Sequence, residues 1–152
     1  MSRVVLITGC STGIGHDLAQ RLARSGYIVV ATARREETLR DLQAALKLPL
    51  DVTQPQSVSR AVECTLERYG RIDVLINNAG YALPGALEEI SDEQVQRLFD
   101  VNVFGSLRMI RAVSPHMRRQ RAGRIINLSS ISGKLVVPAN GAYSAPSSSW
   151  RL

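Results

Sequence analysis

The chain has 152 residues, enough for one ordinary domain with a sizeable core and too few for two. An apolar fraction of 45% beside 21% charged residues marks a globular chain, and no apolar run approaches the roughly 18 residues of a membrane span, so no membrane partner is expected. A net charge of +6 and a pI near 10.0 raise a nucleic-acid reading, but the cluster Arg108, Arg111, Arg118, Arg119, Arg121 and Arg124 overlaps a helical pattern with no interleaved aromatics, so it reads as a solvated face and no nucleic-acid partner is expected.

In chain order, MSRVVLITG carries one basic residue and a short apolar stretch that runs into a glycine turn. It lacks the length and cleavage site of a secretory signal, so cytoplasmic residence is expected. RVVLIT reads as a strand, about ten helical residues follow GIG, and YIVVATA reads as a second strand. A helix is expected over 36–46 and a short strand over Leu48–Asp51. Thr53, Pro55 and Gln56 resemble a helix start, with a threonine cap and a glutamine three residues on, and that helix should reach Tyr69. IDVLINN is a continuous apolar run suited to a parallel strand buried on both faces. Ser91–Gln94, SDEQ, forms a capping box before a long helix that Pro115 is expected to kink. GRIINLSS supplies a fifth strand. This alternation is that of repeated βαβ units, hence an α/β domain. Cys10 and Cys64 are too few for a disulfide framework and lack metal-ligand spacing.

TGCSTGIG, residues 8–15, stands directly after one strand and directly before a helical pattern. In that setting Gly9 permits a tight turn, Gly13 lets backbone approach a pyrophosphate, and Gly15 permits close packing of helix on strand. The helix start at Ser11, Thr12 and Ile14 offers free N–H groups to phosphates. Cys10 reads as a small filler, since nothing pairs it with a base.

The spacing Gly-x3-Gly-x-Gly, together with Asn77-Asn78-Ala79-Gly80, resembles the short-chain dehydrogenase/reductase family, and the resemblance runs over residues 3–145. Asp51-Val52, Asn102 in FDVNVFG and Ser130 in NLSSISG agree with it. It implies a doubly wound, Rossmann-type parallel sheet of about five strands in the order 3-2-1-4-5. It further implies that Asp51 and Val52 lie near the adenine, and that Asn78, Ala79 and Gly80 brace the sheet and line the cofactor cleft. ITGCSTGIG and VVATARR look most like members acting on steroid, retinoid or other bulky apolar alcohols. Full-length members are expected to be homo-oligomers.

Cofactor choice follows from charge. A dinucleotide without a 2′-phosphate is usually held by an acidic residue ending the second strand. Here that position is Ala33, followed by Arg34 and Arg35. A guanidinium can bind a phosphate bidentately, so NADP(H) is favoured over NAD(H), with Arg34 as the binding residue.

The resemblance implies hydride transfer between nicotinamide and the carbon of an alcohol or of a ketone or aldehyde. Ser130 would hydrogen-bond the substrate oxygen, Tyr143 would be the acid or base, and Asn102 would anchor a relay water. A tyrosine titrates near pH 10 when unperturbed, and the family's Tyr-x3-Lys supplies the cation that lowers it. In this chain the fourth residue after Tyr143 is Ser147. Pro146 adds a second fault, since a helix would more naturally begin there, leaving Tyr143 outside it. Lys134, the nearest lysine, precedes Tyr143 by nine residues.

Residues 1–145 thus read as a partial NAD(P)-binding domain and 146–152, PSSSWRL, as an aberrant tail from a shifted or prematurely ended frame. Two further βα units, on the order of 60 residues, would be missing. The fifth strand would then be an exposed edge, inviting self-association. The expectation is an oxidoreductase impaired in catalysis, the rival a non-catalytic dinucleotide-binding or interaction fragment.

Overall fold

The computed structural model describes residues 2–135 and 141–149. Five parallel strands lie in the expected order, β3-β2-β1-β4-β5. They are β1 (Val4–Ile7), β2 (Ile28–Ala33), β3 (Leu46–Pro49), β4 (Val74–Asn77) and β5 (Arg124–Asn127). The helices are α1 (Gly13–Arg24), α2 (Pro55–Tyr69), α3 (Asp92–Phe99), α4 (Ser106–Gln120) and α5 (Gly141–Ser148).

The central strands are almost wholly apolar, Thr32 and Asn77 being the exceptions, because both of their faces are covered. Val4 and Leu6 of β1 pack with Leu75 beneath Val58, Val62, Met109 and Val113 of α2 and α4. Val5 and Ile7 point the other way, joining Val29, Ala31 and Ile76 beneath Ala19 of α1. Alternate residues of one strand therefore feed two separate cores. Among the described residues β5 is an edge, with Ile126 at 39% exposure and Phe104, on the element before α4, at 50%.

Four local expectations are corrected. In place of a helix over 36–46 there is one 3-10 turn, Glu36–Leu39, because the Ala45 N–H is claimed by the Val29 carbonyl at 2.9 Å and β3 starts two residues early. Leu39 and Leu42, the apolar pair behind the helical pattern, are both buried against the α1 face. Thr53 does not cap α2, since its hydroxyl and N–H are both taken by Asp51 Oδ1, at 2.7 and 2.9 Å. Gln54 is the cap residue and Pro55 opens the helix.

The Ser91–Gln94 capping box is present in both its bonds, but the long helix is interrupted at a π turn, Asp100–Gly105, while α4 runs through Pro115. Arg108 supports the widened turn by donating to the Asp100 carbonyl and the Val52 carbonyl at 3.3 Å, and to Asp100 Oδ1 at 2.6 Å. Finally, Tyr143 and Pro146 share α5. Serine hydroxyls add side-chain bonds to the turn around the proline: Ser147 Oγ donates to the Tyr143 carbonyl at 2.9 Å and Ser148 Oγ to that of Ala145 at 2.8 Å. The tail therefore continues a helix as far as Ser148, and its residues 150–152 lie outside the described ones.

Candidate functional site

The turn from β1 into α1 is shaped by two kinds of glycine. Gly9 and Gly13 hold φ of 73° and 60°, the left-handed region that costs other residues energy. Gly15 is required by proximity, since a Cβ there would lie 2.3 Å from both the Gly9 carbonyl oxygen and Asn78 Nδ2. Thr12 precedes α1 in extended geometry without a side-chain cap bond, and the first turn holds no acidic residue. The positive end of the helix is thus left open to an external anion.

Asn78 and Thr8 lock that loop to β4. Asn78 Nδ2 donates to the carbonyls of Thr8 and Gly9 at 2.9 and 2.8 Å. In return, the N–H groups of Asn78 and Ala79 donate to Thr8 Oγ1 at 3.0 and 2.9 Å. Asn77 pairs with Asn127 across β4 and β5 at 2.8 Å, and its Oδ1 is buried without a donor among the described residues. Cys10 is fully buried within the loop, its thiol pushed up to about 12 by that burial. A thiol so held stays protonated and is no nucleophile.

A cleft of about 890 Å³ opens along the carboxyl ends of the strands, where open α/β sheets bind their ligands. It is lined by Gly9, Ser11, Thr12, Ile14, Gly15, Arg34, Asp51, Val52, Asn78, Ala79, Gly80, Asn102 and Tyr143. Of the expected residues, Gly13 and Ser130 are not part of the lining. Ala33 ends β2, and the exposed Arg34 makes no ion pair among the described residues, whereas Arg35 sits 3.8 Å from Glu37. Val52 is buried so tightly on the π turn that a Cβ on Gly105 would meet its Cγ2 at 2.6 Å. These features fit a dinucleotide: open N–H groups for its phosphates, a glycine surface for close approach, and a cation past β2.

At the other end, the Asn102 side chain is committed to backbone. Its Oδ1 accepts from the Tyr81 N–H at 3.1 Å and its Nδ2 donates to the Tyr81 carbonyl at 2.9 Å. Ser130 Oγ accepts from the Ser132 N–H at 3.2 Å as the cap of a short 3-10 turn. Lys134 follows that turn, exposed. Sequence reasoning missed Ser129, which lines the cleft and donates its hydroxyl to the Ser147 carbonyl at 2.7 Å. Gly133 closes on the same carbonyl so tightly that a Cβ there would meet it at 2.6 Å. Ser147 is 8% exposed and is held on both sides, through its hydroxyl and its carbonyl. No local pattern signals that contact, because its partners lie 18 and 14 residues upstream.

A family model for short chain dehydrogenases matches residues 3–147. A 3-ketodihydrosphingosine reductase of Bacteroides thetaiotaomicron is 44% identical over 143 residues, 94% of this chain and 52% of the relative. Human retinol dehydrogenase 8 is 42% identical over 155 residues, 94% of this chain and 49% of the relative. The chain thus spans about half the length of these curated relatives. A short-chain dehydrogenase structure from Streptomyces avermitilis superposes with a TM-score of 0.92 at 39% identity, covering 97% of this chain and 56% of that one. Both cofactors occur among similar structures, each at a TM-score of 0.89 and 29% identity. ElxO with NADP bound is covered over 63% of its length by 97% of this chain, and a 3-ketoacyl-(acyl-carrier-protein) reductase of Brucella melitensis complexed with NADH over 64% of its length by 96% of this chain.

Proposed function

Because the chain belongs to the short-chain dehydrogenase/reductase family, we propose that it holds NADP(H) along the strand ends and that its chemistry interconverts an alcohol with a ketone or aldehyde. The observation that carries this reading is the open amino end of α1, braced by Asn78 and facing the same cleft as Tyr143. Bound there, a nicotinamide dinucleotide supplies or accepts the hydride.

Ser11, Thr12, Gly13, Ile14 and Gly15 hold the pyrophosphate on main-chain N–H groups. Arg34 takes the 2′-phosphate, which no carboxylate at Ala33 repels. Asp51 and Val52 border the adenine, beside Asn78, Ala79 and Gly80. Tyr143 exchanges the proton of the substrate oxygen, Ser130 holds that oxygen after releasing Ser132, and Asn102 positions the relay water near Tyr81. A reductase of 3-ketodihydrosphingosine and a retinol dehydrogenase among the relatives support a bulky apolar alcohol or carbonyl compound as substrate.

The same geometry argues that catalysis is impaired. Where a cation should sit one turn from Tyr143, the Ser147 hydroxyl is neutral and already spent on the Tyr143 carbonyl. That single observation favours a second reading, a dinucleotide-binding domain without turnover. One sample distinguishes the two: NADPH fluorescence measures binding, and NADPH absorbance with a panel of ketones measures turnover. Binding with turnover gained in Ser147→Lys supports the first reading. Binding without turnover in either form supports the second, and absence of NADPH binding refutes both.

A further inference from the structure

The sheet end opposite the cleft collects charge that no single segment displays. Parallel strands share a direction, so their starts and the ends of the helices feeding them meet at one face. Arg3 precedes β1, Arg24 ends α1, Arg68 lies in the last turn of α2, and Arg71 precedes β4. Arg118 and Arg119 lie in the last turn of α4, Arg121 follows it, and Arg124 opens β5. All but Arg71 are exposed. The strand starts are bonded side by side: Ile28 N–H to the Arg3 carbonyl at 3.0 Å, Asp73 N–H to that of Val4 at 2.9 Å, and Arg124 N–H to that of Asp73 at 2.9 Å. Gln120 pins the end of α4 to the same edge through both main-chain groups of Ile72, at 3.1 and 3.0 Å. The carboxylates at these positions are Glu67 and Asp73, and Asp73 is already taken by Arg71 and the Val4 N–H.

Compensation of helix dipoles accounts for Arg24, Arg68, Arg118 and Arg119. It does not account for Arg3 or Arg124, which stand at strand starts, whereas Arg71 is paired with Asp73. Arg121 is held at φ 53°, the one non-glycine residue in the left-handed region among those described. Glycine is the residue that geometry prefers, so a guanidinium is kept there against backbone strain. Arg118 and Arg121 flank a shallow depression of about 520 Å³ whose apolar floor includes Met117, Ala122 and Ile125.

We propose that this face docks the protein on an anionic phospholipid surface. Guanidiniums over an apolar floor match an amphiphilic anion, a phosphate headgroup with hydrocarbon beneath it. Nucleic acid fits less well. Tyr27 and Tyr69, the aromatics at this end among the described residues, pack into the two cores and are poorly placed to stack bases. Docking here leaves the cleft facing away and open. This inference goes beyond the oxidoreductase reading and does not depend on it.

Co-sedimentation of the chain with vesicles tests it, NADPH fluorescence being read in the same sample so that failure of either proposal is seen separately. At about 0.1 M salt the chain should partition onto vesicles of about one-third phosphatidylserine, not onto phosphatidylcholine alone, and be released near 0.5 M. Replacing Arg118→Gln, Arg119→Gln and Arg121→Gly together should weaken partitioning on the order of a hundredfold, at about fivefold per charge. Arg121→Gly relieves strain, so circular dichroism should show a folded variant; Arg3→Gln with Arg124→Gln supplies an independent second variant. No partitioning, equal binding to uncharged vesicles, unchanged binding by both variants, or tighter binding to a DNA oligomer at the same salt would each overturn the proposal.

Discussion

Replacing Gly15 by alanine sets two physical effects against each other. Gly15 lies in the first turn of α1 and does not hold a positive φ, so helix propensity alone makes alanine better by about 1 kcal/mol. Packing says the opposite. The added Cβ would sit 2.3 Å from the Gly9 carbonyl oxygen and from Asn78 Nδ2, where ordinary contact begins at 3.4 Å. The oxygen belongs to backbone and cannot swing aside, and Asn78 can yield only by abandoning its bonds to Thr8 and Gly9. Overpacking costs about 1–3 kcal/mol and each lost bond about 0.5–1.5 kcal/mol. Set against the propensity gain, the net loss is about 1–5 kcal/mol. Gly13→Ala is the control: nothing lies within 4 Å, so only its φ of 60° acts, at about 1–2 kcal/mol. Urea unfolding followed by circular dichroism measures both, and NADPH fluorescence should weaken more for Gly15→Ala. A urea midpoint for Gly15→Ala equal to or above that of the parent chain would refute the steric account.

Three other outcomes are expected. Thr8→Val strips two main-chain N–H groups, those of Asn78 and Ala79, of their acceptor at a site 1% exposed. The urea midpoint should fall by the equivalent of about 2–4 kcal/mol, with Thr8→Ser recovering most of it; recovery by valine would be contrary. Burial pushes the Asp73 carboxyl up, but hydrogen bonds from Arg71 and the Val4 N–H, with the charges of Arg71 and Arg3, outweigh it and hold the group below the ordinary carboxylate value. Its stabilisation is therefore complete above about pH 4 and is lost as pH falls through the lower folded value. Asp73→Asn should flatten that acid limb, and identical limbs in urea titrations of both proteins would contradict the assignment. Arg34→Ser should weaken NADPH binding by about tenfold or more through the lost 2′-phosphate contact while leaving NADH unchanged. Equal weakening of both cofactors would place Arg34 elsewhere in the site.

Much of the fold was legible because its signals are contiguous. Strands buried on two faces are apolar nearly throughout, so RVVLIT and IDVLINN declare themselves. The left-handed Gly9 and Gly13 are legible too, since a turn between strand and helix imposes them locally. SDEQ carries its own cap within four residues. Where the reading failed, another bond had prevailed over the expected one. The distant Val29 claimed Ala45 and abolished a helix, while the neighbouring Asp51 claimed the hydroxyl of Thr53.

By itself, then, the order of residues determined the strand sequence, the glycine turn and the absence of a lysine four residues after Tyr143, because each depends on neighbours along the chain. Tertiary structure alone decided the grip of Ser129 and Gly133 on Ser147, the brace of Asn78 on Gly9, and the gathering of Arg3, Arg71 and Arg124 on one face. These contacts join residues 14 to 69 positions apart. Which groups meet across such spans is set by the direction and spacing of parallel strands, a quantity no local window contains.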